Sequence, residues 1–162
     1  MSIQAPGAPV NRLPIKEALF ALATSITFST PINGYNTWGT SSRRLKEFPQ
    51  VDKSIQPAMY MVQHKETVTT HGVGRLTRRY LDMGFWCYAP TPEGVIGDDI
   101  LDIFETAFET VLQPDDPGRV ELTLGGLCYW CRITREDGLY IRDPGDIDGQ
   151  ALLILPVRIL LP

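Results

Sequence analysis

Two cysteines three apart, Cys128 and Cys131 in the stretch LGGLCYWC, are the residues best placed to do chemistry. Such a pair could clip a metal, form a redox couple, or belong to the frame. A two-cysteine clip needs both sulfurs converging on one ion, usually from a tight turn. A redox pair needs a helix N-terminus that lowers one thiol pKa. The aromatic and β-branched residues of VELTLGGLCYWCRIT predict a strand instead. Side chains alternate along a strand, so residues three apart point to opposite faces. Leu127, Tyr129, Cys131 and Ile133 then share one face, and Cys128, Trp130 and Arg132 share the other. Cys87, His64 and His71 supply no second ligand pair at metal-site spacing. The cysteines therefore read as core residues, with no metal and no cofactor expected.

Other chemical motifs are equally incomplete. RDPGDIDGQ has Asp143, Asp146, Asp148 and Gly149, but not the acid spacing or closing Glu of a calcium loop. HGVG has too few glycines for a dinucleotide fingerprint. No G-x-S-x-G occurs, and neither histidine has an evident nucleophile and acid to work with. The expectation is a protein that is not an enzyme. KETVTTHGVGRLTRRY carries more information. It joins two predicted strands and carries Arg75, Arg78 and Arg79, so residues 65–79 are expected to form a long inter-strand loop. Loops of that length in compact domains are usually functional or disordered. Phosphate binding, docking on an acidic protein surface and a solvated loop all remain open for it.

The elements that must position these residues follow from periodicity. In PIKEALFALATSITF, Ile15, Ala18, Leu19, Leu22, Ala23 and Ile26 fall on one helical face, with Pro14 in the first turn. In GDDILDIFETAFETVL, Ile100, Ile103, Phe104, Ala107, Phe108 and Val111 form a second stripe, opened by Asp98 and Asp99. QPAMYMVQHKE, YLDMGFWCYA, the cysteine segment and QALLILPVRILL predict strands. The order is helix, two strands, helix, two strands, with room for a short strand after the first helix. This predicts an α+β domain: a mainly antiparallel or mixed sheet of four to five strands, with two helices on one face. The sheet has more apolar surface than two helices cover. Phe85, Cys87 and Ala89 oppose Trp86 and Tyr88; Leu153, Leu155, Val157 and Ile159 oppose Leu152, Ile154 and Leu160. A half-buried strand should alternate apolar with polar. The excess is assigned here to a second subunit rather than to the chain itself.

The chain of 162 residues suffices for one domain, 1–162, with residues 1–12 as a flexible lead-in. Its 43% apolar and 21% charged residues are those of a globular protein. No apolar run is long enough for a membrane span, and the start lacks a signal-peptide profile. Three cysteines, an odd number, do not suggest a disulfide framework. Charge is uneven. Residues 1–79 hold ten Lys/Arg and four Asp/Glu, a balance of +6, whereas residues 80–162 hold five and fifteen, a balance of −10. Such a chain can present two electrically different faces.

Four motifs occur in a telling order: SSRRLKEF with Arg43 and Arg44; QPAMYMVQ with Gln56 to Ala58; LTLGGLCYWCRI with Thr123 to Gly126; and DGQALLILPVRILLP with Asp148 to Ala151. Together, from about residue 15 to the end, the chain resembles the tail terminator (tail completion) proteins of long-tailed bacteriophages. The CYWC is a departure from that pattern. The resemblance implies an α+β subunit of a hexameric ring in the virion, assembled in the host cytoplasm. Such a ring caps the tail tube protein, ends tail elongation and offers a joining surface to the head-tail connector protein, without catalysis.

Geometry accommodates a ring of six. A domain of this length has a radius of gyration of about 15 Å, hence a diameter of roughly 40 Å. Six such spheres leave a hole of similar width, and a duplex is on the order of 20 Å across. DNA would pass through the lumen without specific binding. The expected protein contacts are Arg43, Arg44, Arg75, Arg78, Arg79, Trp86, Trp130 and Ile154. The alternatives are a head-closure, connector or minor tail protein, and a basic-loop nucleic-acid-binding domain.

Overall fold

The computed structural model describes residues 9–70, 77–114, 118–136 and 139–162. Helix α1 spans Arg12–Thr24 and buries Ile15, Leu19 and Ala23, the four-residue spacing of one face. Helix α2 spans Gly97–Val111; Asp98 and Asp99 lie in its first turn, where carboxylates offset the partnerless N–H groups. It buries Ile100, Leu101, Phe104, Ala107 and Phe108. Phe104 and Phe108 stack against Trp38, with ring centroids 5.3 and 5.9 Å away, and Phe108 also meets Phe85 at 4.7 Å. Each such side chain contributes roughly 1.5–3 kcal/mol by burial alone. No helix among the described residues is long and apolar enough to cross a membrane.

The strands are β1 (Thr40–Ser42), β2 (Ala58–Thr70), β3 (Thr77–Pro90), β4 (Trp130–Ile133), β5 (Ile141–Asp143) and β6 (Gln150–Leu160). They form one six-stranded mixed sheet in the order β1-β2-β3-β6-β4, and β5 pairs the start of the β6 edge whose end carries β4. Only β1 with β2 is parallel. The register places Met61, Phe85 and Leu155 side by side, as it does Met59, Cys87 and Leu153. These residues share one core cluster with both helices. The fold is α+β, with two helices laid on one face of the sheet.

Two expected boundaries are corrected. The strand predicted over residues 120–134 contracts to Trp130–Ile133. Leu124, Gly125 and Gly126 have φ of 52°, 72° and 86°, the left-handed region that ends a strand. Cys128 therefore reaches the sheet from a turn, and the alternation argument does not apply to it. Both cysteines lie in the same helix-side core, 0% and 2% exposed. The predicted loop over residues 65–79 is also corrected. Pairing of β2 with β3 continues through Thr70 and Thr77. β6 leaves β3 at Tyr80, so Thr67–Thr70 and Thr77–Arg79 run on as a two-stranded hairpin. Residues 71–76, with Arg75 and His71, lie outside the described residues, as do residues 1–8 of the expected lead-in.

Candidate assembly interface

The second face of the sheet divides into three zones. At the β1 end, residues 45–55 fold back over it. Their short 3-10 turns, Phe48–Gln50 and Lys53–Ile55, place Phe48, Val51 and Ile55 against Ala58, Tyr60 and Tyr88. The Asp52 carboxylate accepts from the Ser54 amide at 2.8 Å, a cap that also holds its pKa below the usual range. Phe48 lies edge-on to Tyr88 with centroids 5.5 Å apart. The Tyr88 hydroxyl donates to the Lys46 carbonyl at 3.3 Å, and burial pushes that phenol up to about 12. This corrects the assignment of the whole second face to another subunit. The chain covers this zone itself, with apolar residues too irregularly spaced to predict an element.

The middle zone belongs to Trp86 and Ile154. A register shift between Gln63 and Lys65 sets His64 over Gly84, where a Cβ on the glycine would overlap the imidazole. The Trp86 indole N–H donates to His64 Nε2 at 3.2 Å, leaving Trp86 half-buried. Ile154 is only 5% exposed, flanked in register by Trp86 and Ile141. No helix among the described residues covers Ile154; its strand neighbours bury it, so at or near a subunit contact it would act by supporting Trp86 and Ile141.

At the hairpin end the face turns polar and aromatic. Asp82, 1% exposed, accepts from Arg158 at 2.8 and 3.3 Å. The Arg158 guanidinium lies 5.6 Å from the Tyr80 ring centre. Trp130 is half-buried, 5.9 Å from Tyr80, and Arg132 stacks on it at 4.2 Å while bridging to Glu121. Tryptophan, tyrosine and arginine in this mixture are the residues that dominate protein–protein contacts.

The expected arginines separate. Arg43 and Arg44 are exposed just beyond β1. Burial, then the nearby Arg43 charge, lowers the pKa of Lys16 on α1. Arg79 lies on the helix side: the carboxyl of Glu66 is held down chiefly by its hydrogen bond from Arg12, with Arg79 adding to the effect. Arg12 donates to Glu66 from Nε at 2.7 Å and from Nη2 at 2.5 Å. Arg78, its neighbour in the strand, points to the other side and lines a hollow with Tyr129, Trp130 and Leu160. It has no ion pair among the described residues.

The opposite end of the molecule is acidic. Arg142 bridges Asp98, Asp102 and Glu105, at 2.8, 2.9 and 2.5 Å, and Glu105 also pairs with Arg135 at 3.5 Å. Asp99, Asp146 and Asp148 have no ion pair among the described residues. Sequence reasoning missed this network, the Asp82–Arg158 pair and the His64–Trp86 pair. An isolated Asp in YLDMGF, opposite an isolated Arg in PVRIL, was the available signal.

Cys87 and Cys131 have thiols pushed well up by burial, with Cys128 adding to the effect on Cys131. That disfavours the thiolate needed for nucleophilic attack or metal binding. Among the described residues no group of three or more His, Cys, Asp or Glu side chains is placed to hold a metal ion. No protein-family model matches the chain, and no curated protein aligns with it.

Proposed function

We propose that this protein is a structural subunit of the tail-terminator type. Copies would form a ring at the head-proximal end of a phage tail, most simply a hexamer. The ring would cap the tube of tail tube protein, end its elongation and receive the head-tail connector protein. DNA would traverse the lumen without a specific site. The observation that carries the reading is the hairpin running past β6. A two-stranded hairpin is marginal by itself in water, and this one exposes Val68 at 57% together with Arg78. Such an arm is stabilised by a neighbour. The four-motif resemblance supplies the kind of neighbour, and the charge asymmetry supplies unlike surfaces for a ring contact.

The nucleic-acid reading has less support, because Arg132 and Arg158 on the aromatic face already face Glu121 and Asp82. Complementation tests the proposal: a phage lacking this gene, supplied with the chain carrying Arg78→Glu and Arg79→Glu. The expected result is folded protein by circular dichroism, with headless or overlong tails. Normal particles from that variant would remove the arm from assembly.

A further inference from the structure

We infer that copies of this chain join head to tail through one knob and one groove, an inference that rests on the ring proposed above. The knob is the turn between β5 and β6, which reads Asp143, Pro144, Gly145, Asp146, Ile147, Asp148. Ile147 at its tip is 98% exposed, the most exposed large apolar side chain described, and it stands between two carboxylates without ion pairs. The turn is rigidly built. The Asp143 side chain accepts from the Gly145 amide at 3.0 Å, and the Gly149 amide donates to the Gly145 carbonyl at 2.8 Å. Gly97 of α2 packs so closely on Pro144 that no Cβ would fit. An isoleucine held out in water by a fixed turn is a surface feature with a use.

The groove lies at the other end of β6. Thr77, Arg78, Tyr129, Trp130, Leu160, Leu161 and Pro162 line a hollow of about 390 Å³. Its floor is apolar and aromatic, and Arg78 stands at its rim. The occupant is a second copy's Ile147 turn: the isoleucine matches the floor, and Asp146 and Asp148 match Arg78. Lys53, near Gly149, offsets part of the knob's charge without reversing it.

Knob and groove sit at opposite ends of an 11-residue strand. At about 3.4 Å per residue that separates them by about 35 Å, close to the diameter of the domain. One patch meeting a different patch, one subunit width apart, is the heterologous contact that closes into rings or runs on as filaments.

The test uses the full-length chain with Ile147→Cys, with Tyr129→Cys and with both, treated with a short bis-maleimide crosslinker. The native cysteines are at most 2% exposed and stay silent. The double variant is expected to give a ladder of dimers, trimers and larger species on denaturing gels, and each single variant only monomer. Sedimentation velocity of the unsubstituted chain and of each variant reports assembly independently. Assembled protein that gives no ladder, or dimers from one single variant, overturns the knob and groove and leaves the ring. An unsubstituted chain that stays monomeric at every concentration in sedimentation overturns both. Separately, Ile147→Asp should raise the concentration for half-assembly about 10- to 100-fold, the loss of one buried isoleucine. Arg78→Glu should weaken assembly and Asp146→Lys should restore it, since charge pairs at such a rim set register. Unchanged assembly in Ile147→Asp would also overturn the inference.

Discussion

Removing Arg158 should cost far more than removing the charge of its partner Asp82, although they make one ion pair. Asp82 is 1% exposed, whereas the Arg158 side chain keeps 33% of its surface in water. Arg158→Met strands a buried carboxylate, a loss of about 3–5 kcal/mol for breaking such a pair from one side. Lys65, opposite Asp82 in register, brings the expectation to the lower half of that range. Asp82→Asn keeps the shape and leaves a guanidinium that can turn toward solvent, a loss of about 1–2 kcal/mol. At about 2–4 °C per kcal/mol for a chain of this size, the two variants separate by several degrees in Tm. Asp82→Leu combined with Arg158→Met removes both charges and should be less damaging than Arg158→Met alone. Urea unfolding followed by circular dichroism measures all three. One low protein concentration should be used, because assembly adds concentration-dependent stability. An Arg158→Met loss equal to or smaller than that of Asp82→Asn would refute the argument from asymmetric burial.

Other expectations follow from the same geometry. All three thiols should react with a chromogenic disulfide only after denaturation; rapid reaction of any in the native protein would contradict their burial. Gly84→Ala should push His64 off the sheet, costing about 1–3 kcal/mol as overpacking does and shifting the tryptophan emission through the lost Trp86 contact; an unchanged spectrum and Tm would show that site to be roomier than described. Tyr88 has a folded-state pKa raised to about 12 by burial. Its contribution to stability is complete below the unfolded value of about 10 and is lost as pH rises from there toward 12. Urea midpoints measured across that window should fall less steeply in Tyr88→Phe, and equal slopes would count against the buried phenol.

Helices were the most legible part of the sequence. The Ile15 and Ile100 stripes kept a 3.6-residue period: α1 buries Ile15, Leu19 and Ala23 of the first, and α2 buries Ile100, Phe104, Ala107 and Phe108 of the second, together with Leu101, which the stripe omitted. Strand faces were legible too, because Phe85 against Trp86 is fixed by a period of two. The segment over residues 45–55 was not, since Leu45, Phe48, Val51 and Ile55 follow neither period and pack only because two 3-10 turns bring them round. The cysteine strand was overextended because T-L-G-G looks β-branched and apolar, while its two glycines and Leu124 adopt left-handed turns. The hairpin was read as a loop because Lys65 to Thr70 is polar apart from Val68, a pattern that gives solvent-exposed strands no signature. For the interface, the arginines were visible as types, but alternation sent Arg78 and Arg79 to different faces. Ile147 was hidden within a motif that drew attention to its carboxylates.

Location and symmetry are both addressed by electron microscopy of labelled particles. Virions produced with an epitope-tagged copy of this chain, decorated with antibody and averaged in negative stain, should show label at the junction of head and tail. A rotationally symmetric ring should cap the tube there. Label on the capsid shell, on tail fibres or nowhere on the particle would contradict the account.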